Sequence, residues 1–343
     1  MLWVISLPTD QRTKPPIVTT GPVGGGKTRV VVAIFELFGI PSRVAAVTKN
    51  GEGDFWAAMD RGGLACFDNA DSRIEWLPDA LAAAATAGCQ DKRRLYTDSD
   101  RVVLRARSSI AVTSANPAFA SDAGLSDRLL VVRLNRRNGE TAESVLADEI
   151  AAVRDAGLSW ICQVIADALL DTEPTPAGLN QRHPDFASFA VRIGRAIGRE
   201  SEAVAALRAA EADKSLFNLE NDSIGAVILE TMRRGEAFAG TAGELLEKLK
   251  ASDYTLDGTL SAKRLSKRMQ KLWPHLEAIL TAKQEPGHGG IIRFTLRPPR
   301  NGCFGGFETA FQEKSLRGEN IESLSKTPIE SHQTHQQPAL EGF

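Results

Sequence analysis

The hydrophobic pattern of this chain changes period near position 140. Before it, short apolar and β-branched runs at 16–20, 43–48, 63–69, 109–116 and 129–134 read as buried strands. Between them lie stretches suited to helices at 29–38, 54–59 and 76–88. Strand alternating with helix predicts an α/β fold, a parallel sheet flanked by helices. A further apolar run at 2–7 reads as a lead-in strand. Two alternating runs, 91–97 and 101–107, flank the polar turn Asp98, Ser99 and Asp100 and predict a β-hairpin.

After position 140 apolar residues recur every three or four places. Segment 142–171 carries Val145, Leu146, Ile150, Val153, Ile161 and Val164 at helical intervals; Pro174 and Pro176 interrupt it, and 185–212 is helical again. From about 221 a third pattern begins. Asp222 is placed to cap a helix at 224–234, and Thr241 with Glu244 forms a capping box for a second at 241–250. Positions 261–279 fit a third helix despite Pro274, and a glycine turn at 287–290 leads into an alternating strand at 291–297. Three helices, a turn and a strand are the pattern of a winged helix. Four parts are therefore expected: an α/β core at 1–140, a helical lid or linker at 141–218, a winged-helix-like domain at 219–298, and a disordered, polar tail at 299–343.

Composition narrows this picture. A chain of 343 residues holds two or three domains, and a net charge of −2 confines any nucleic-acid affinity to local patches. Cys66, Cys89, Cys162 and Cys303 include no C-x-x-C pair, which argues against a zinc site or disulfide framework and fits a reducing cytosol. Neither a spanning apolar run nor a signal-peptide pattern is present, so a cytoplasmic protein without a membrane partner is expected. About sixteen residues precede the first core strand, so no separate catalytic domain is expected upstream.

The sharpest chemical signal lies between the strand at 16–20 and the helix at 29–38. Gly21, Pro22, Val23, Gly24, Gly25, Gly26, Lys27 and Thr28 spell G-x-x-x-x-G-K-T, the phosphate-binding loop, in the strand-to-helix context that motif requires. Glycines let backbone N–H groups turn inward around an anion, and the helix start adds partial positive charge. Lys27 would reach the β- and γ-phosphates of ATP, and Thr28 would ligate Mg²⁺. The run 63–67 ends in Asp68, a carboxylate at the carboxyl end of a strand, suited to holding the same Mg²⁺. Asn116 ends the strand at 109–116 and either bonds the attacking water or the γ-phosphate, or serves as a turn residue before Pro117. Arg128 stands just before the next strand, either as an arginine finger reaching a neighbour's nucleotide or in a salt bridge with Asp127.

Two basic patches are candidates for DNA. Arg94, Arg101 and Arg105 crowd the arms of the hairpin, with Lys92, Arg93 and Arg107 beside them. Lys263, Arg264, Lys267, Arg268 and Lys271 recur three and four apart along one helix face, with no acid between 261 and 275. Either face would neutralise phosphates and give salt-dependent binding; the alternative is a solvated basic helix. Gln270 is the one amide there, so backbone contacts are expected more than base readout.

Taken in order, GPVGGGKT, CFDN, TSAN and SDR resemble the module of an AAA+ ATPase. Over roughly 16–137 the chain is similar to superfamily 3 helicases and to the helicase part of primase-helicases of phages and mobile elements. The resemblance implies a P-loop NTPase sheet with a helical lid, ATP sites between the subunits of a ring, usually a hexamer, and a hairpin gripping DNA in the channel. It leaves a separate primase or replication protein open as a partner. Arg192 and Arg195 would then be candidate second sensors from the lid, or residues of a solvated face. One departure matters: where many AAA+ proteins carry a glutamate after the Walker B aspartate, this chain has Asn69, which can hold a water but cannot accept its proton. Glu52, Asp54 and Asp71 are the nearby carboxylates that could substitute. The expected function is an ATP-driven DNA helicase or translocase of mobile-element replication. A non-motor AAA+ ATP switch assembling on DNA is the second reading, and a metabolic P-loop kinase the third.

Overall fold

The computed structural model describes residues 1–299 except 12, 71–73, 94–100, 122, 137, 138, 140, 180, 253–259 and 288–290. The chain opens with helix α1 (Leu2–Ser6), strand β1 (Ile17–Thr20) and helix α2 (Lys27–Leu37). Strand β2 (Val44–Ala46), helix α3 (Glu52–Asp60) and strand β3 (Gly63–Asp68) follow, then helix α4 (Leu77–Ala84) and the antiparallel pair β4 (Cys89–Arg93) and β5 (Arg101–Arg105). Strand β6 (Ser108–Ser114), the short helix α5 (Ala123–Ser126) and strand β7 (Leu130–Arg133) complete the first part.

Five strands form one parallel sheet in the order β2-β3-β6-β1-β7. β1 is buried along its whole length, as a strand covered on both faces must be. One core layer holds Phe55, Met59, Phe67, Leu77 and Leu81; the other holds Val31, Phe35, Cys66, Phe186 and Val191. The run 2–7 is α1 rather than a strand. Trp3 and Ile5 are buried, and the Trp3 indole donates to the Pro15 carbonyl at 2.9 Å. A short apolar run does not distinguish helix from strand, and here tertiary contacts chose the helix.

The second part is helical at first: α6 (Glu143–Leu170), α7 (Pro184–Ala196) and α8 (Glu200–Glu220). The single helical stretch expected at 185–212 is two helices, because Gly198 takes φ 68°, left-handed backbone that ends α7 before α8 begins. α8 also runs past the expected boundary at 218 and serves two cores. Phe217 packs into the sheet's layer, while Leu216 and Leu219 pack with the last third of the chain.

That last third contains α9 (Ser223–Arg233), β8 (Phe238–Thr241), α10 (Ala242–Ser252), α11 (Ala262–Ile279), β9 (Thr281–Pro286) and β10 (Ile292–Arg297). Asp222 caps α9 by accepting from the N–H groups of Ile224 and Gly225 at 3.0 and 2.9 Å. The Thr241 N–H donates to Glu244 at 2.6 Å, the reciprocal bond of a capping box. β8, β10 and β9 form an antiparallel sheet in that order. β8 and β9 were not visible in the sequence pattern: four residues containing a glycine, and the largely polar TAKQEP, carry no strand-like alternation. The tail beyond 299, the 94–100 turn and the 288–290 turn lie outside the described residues.

Candidate functional site

The loop at 21–28 leaves the carboxyl end of β1, between β6 and β7 in the sheet. Crevices of this kind, outside the strand ends where neighbouring connections diverge, are where open α/β sheets bind ligands. Gly21 has φ 146°, and a Cβ there would lie 2.1 Å from the Leu134 carbonyl oxygen, so no side chain fits. Gly26 precedes α2 in left-handed backbone, φ 77°. Val23 is 82% exposed, so the loop's rim is open. Lys27 turns into this loop: its Nζ donates to the carbonyls of Gly21 and Pro22 at 3.0 and 2.9 Å.

Thr28, at the start of α2, donates from Oγ1 to Asp68 Oδ1 at 2.7 Å. Asp68 reaches this point because it ends β3, whose register with β6 sets Phe67 opposite Val112 and so brings Asp68 beside Thr113. The Thr113 hydroxyl donates a short hydrogen bond to the same carboxylate oxygen and accepts from the Asn69 N–H at 3.1 Å. Asn69 holds φ 55°, left-handed backbone that asparagine tolerates better than glutamate. Burial and the nearby Asp68 carboxylate push the Cys66 thiol up to about 12, which removes it as a nucleophile at neutral pH.

Thr113 was missed in the sequence. The available signal was a hydroxyl near the end of the strand expected at 109–116, since such a residue, once buried, needs a partner. Asn116 is exposed, two residues beyond the end of β6. The Arg128 guanidinium hydrogen-bonds the Gly124 carbonyl, and the Arg128 carbonyl pairs with His183 Nε2 at 3.2 Å. The expected alternative partner, Asp127, instead faces Arg182 at 3.8 Å. Arg195 ties to Asp171 and Glu200 at 3.2 and 2.9 Å, locking α7 to its flanking segments. Of the three substitute carboxylates, Glu52 accepts from Gln90 at 2.9 Å, Asp54 is exposed, and Asp71 lies outside the described residues.

On the hairpin, Arg101 and Arg105 are exposed; Arg101 lies 3.5 Å from Asp91, and Arg94 falls outside the described residues. On α11, Lys263, Arg264, Lys267 and Lys271 are exposed, whereas Arg268 is not fully so. At about 100° per residue the five cations span an arc of about 140°, and Arg268 occupies the edge nearest the buried Leu265, Met269 and Leu272. Its guanidinium is held by Asp222, whose other oxygen caps α9. Arg268 is thereby engaged in joining α11 to α9.

Among the described residues no cluster of three or more His, Cys, Asp or Glu could hold a metal, and no helix is long and apolar enough to cross a membrane. Fold and site together define a mixed α/β protein whose parallel sheet and glycine-rich loop are compatible with a P-loop-like domain. Residues 1–216 match the family described as the actinomycete integrative conjugative element replication protein, and the chain belongs to that family. It is thus a replication-related protein of a mobile element. No curated protein matches it. A solved structure described as the A form apo structure of the NrS-1 C-terminal region (CTR) aligns over 87% of this chain and 70% of that one, at 11% identity and a TM-score of 0.38.

Proposed function

We propose that this chain is an ATP-dependent DNA helicase or translocase of its element's replication. The observation that carries the reading is the meeting of Thr28 and Asp68, 40 positions apart, at 2.7 Å beside the loop. A hydroxyl and one carboxylate make a poor metal cage alone. They are what Mg²⁺ takes when nucleotide phosphates and water complete its shell, and the ion there would offset charge on the phosphates. Lys27 would exchange its two loop carbonyls for phosphate oxygens. Thr113 keeps Asp68 oriented, and Asn116 is the candidate for the γ-phosphate. Arg128 would serve a neighbouring subunit's site in a ring, after leaving the Gly124 carbonyl.

The strand order β2-β3-β6-β1-β7 supports an AAA+ core, with α6, α7 and α8 as its helical lid. The order helix, strand, helix, helix and two strands from α9 to β10 supports a winged helix, with α11 as the helix that meets DNA. Its lysines and the hairpin arginines would follow the phosphate backbone. A second reading, an ATP switch with weak turnover, is favoured by one observation: Asn69 stands where a catalytic glutamate would, in backbone that suits asparagine.

An ATPase assay with and without single-stranded DNA tests the proposal. Strong stimulation by DNA is expected, and Lys27→Ala should abolish nucleotide binding. Tight binding without turnover would select the switch; binding that survives Lys27→Ala would remove the loop from the site.

A further inference from the structure

The loop has a second cation beside it that no motif announces. The Leu134 N–H donates to the Thr20 carbonyl at 2.7 Å, extending the β1–β7 pairing by one residue into the loop's base. The Leu134 carbonyl oxygen then covers Gly21 so closely that only glycine fits beneath it, and it lies 3.8 Å from where a Cβ on Gly25 would stand. The segment after β7 is thus clamped onto the loop by backbone contacts at two glycines. Two residues further on, the exposed Arg136 lays its guanidinium against Gly24: a Cβ built there would sit 3.8 Å from both Cζ and Nε.

We propose that Arg136 is a phosphate-binding residue of this same chain's nucleotide site, taking an oxygen of the β- or γ-phosphate beside Gly24. The inference rests on the reading of residues 21–28 as the ATP loop. The two cations divide the work by geometry. Lys27 is fixed to the start of α2 and fills the inside of the loop, where it bonds two loop carbonyls. Arg136 stands on a different segment, beside Gly24, and its permanently charged guanidinium has a donor for one phosphate oxygen. It acts in cis, which separates it from Arg128. Because Leu134 anchors its backbone, any shift of β7 against β1 would carry Arg136 with it.

The test measures the affinity of a fluorescent ATP and a fluorescent ADP, with Mg²⁺, for the full chain and for Arg136→Ala, Arg136→Lys and Lys27→Ala. Arg136→Ala should weaken ATP binding by about tenfold, the effect of one lost charge-assisted hydrogen bond. ADP should weaken less, and Arg136→Lys should recover part of the loss. If Arg136→Ala binds ATP within twofold of the wild type while Lys27→Ala does not bind, the role of Arg136 is overturned and the loop reading stands. If the wild type binds neither nucleotide, both fall.

Discussion

At the carboxyl end of the sheet, polar side chains are held by other parts of the chain. Lys27 bonds two loop carbonyls, and Asp68 takes hydroxyls from Thr28 and Thr113. On α11, Lys263, Lys267 and Lys271 stand exposed, and Arg268 at the edge of the face is committed to Asp222. The first arrangement suits a small ligand of fixed shape, since its polar groups are positioned beforehand and need only exchange partners. The second suits a long polyanion, where affinity comes from neutralised phosphates and released counterions and tolerates mobile side chains. A sharp sequence motif marks the first, because a tight glycine-rich turn between a strand and a helix fixes residue types at fixed spacing. A periodic charge pattern marks the second.

The comparison can be broken from either side. The largest effect is expected from replacing Lys263, Lys267 and Lys271 together by alanine. Affinity for DNA at moderate salt should fall about a hundredfold, and the slope of log affinity against log salt should drop by about 2 to 3; an unchanged slope would return α11 to a merely solvated face. Arg268→Ala should do the opposite. It leaves the buried Asp222 without its cation, so stability should fall by about 2 kcal/mol in denaturant titration while the salt slope stays near wild type.

On the sheet side, Thr113→Val removes one of the donors that orient Asp68. On the proposed reading of Asp68 as the residue that would hold Mg²⁺, turnover should fall about tenfold with nucleotide affinity little changed; equal losses in both would make Thr113 a residue of general packing. The last effect concerns pH. His183, at the start of α7, is pulled down to about 4, chiefly by burial, while its bond to the Arg128 carbonyl opposes this and nearby Lys214 adds to it. The unfolded chain therefore takes up the proton first as pH falls. Stability present above about 6.5 should be lost progressively toward 4, a trend that urea midpoints at pH 7.5 and 5 would register and His183→Gln would weaken.

The sequence by itself determined the order of the strands from β1 to β7, the glycine-rich loop between β1 and α2, the caps at Asp222 and Thr241, and a basic stripe on one helix. These are local matters: period, backbone freedom at glycine, and side chains bonding N–H groups two or three residues away. Tertiary structure decided what depends on distant neighbours. The helix at Leu2–Ser6 follows from Trp3 finding Pro15, and β8 and β9 exist because β10 pairs with both. Thr113 meets Asp68 through the register of two strands, Arg136 meets Gly24 through the clamp at Leu134, and Arg268 left the exposed stripe when Asp222 came within reach. Each pairing joins positions more than forty apart or in different elements. Only the packed sheet and helices bring such groups close enough for a hydrogen bond or an ion pair to form.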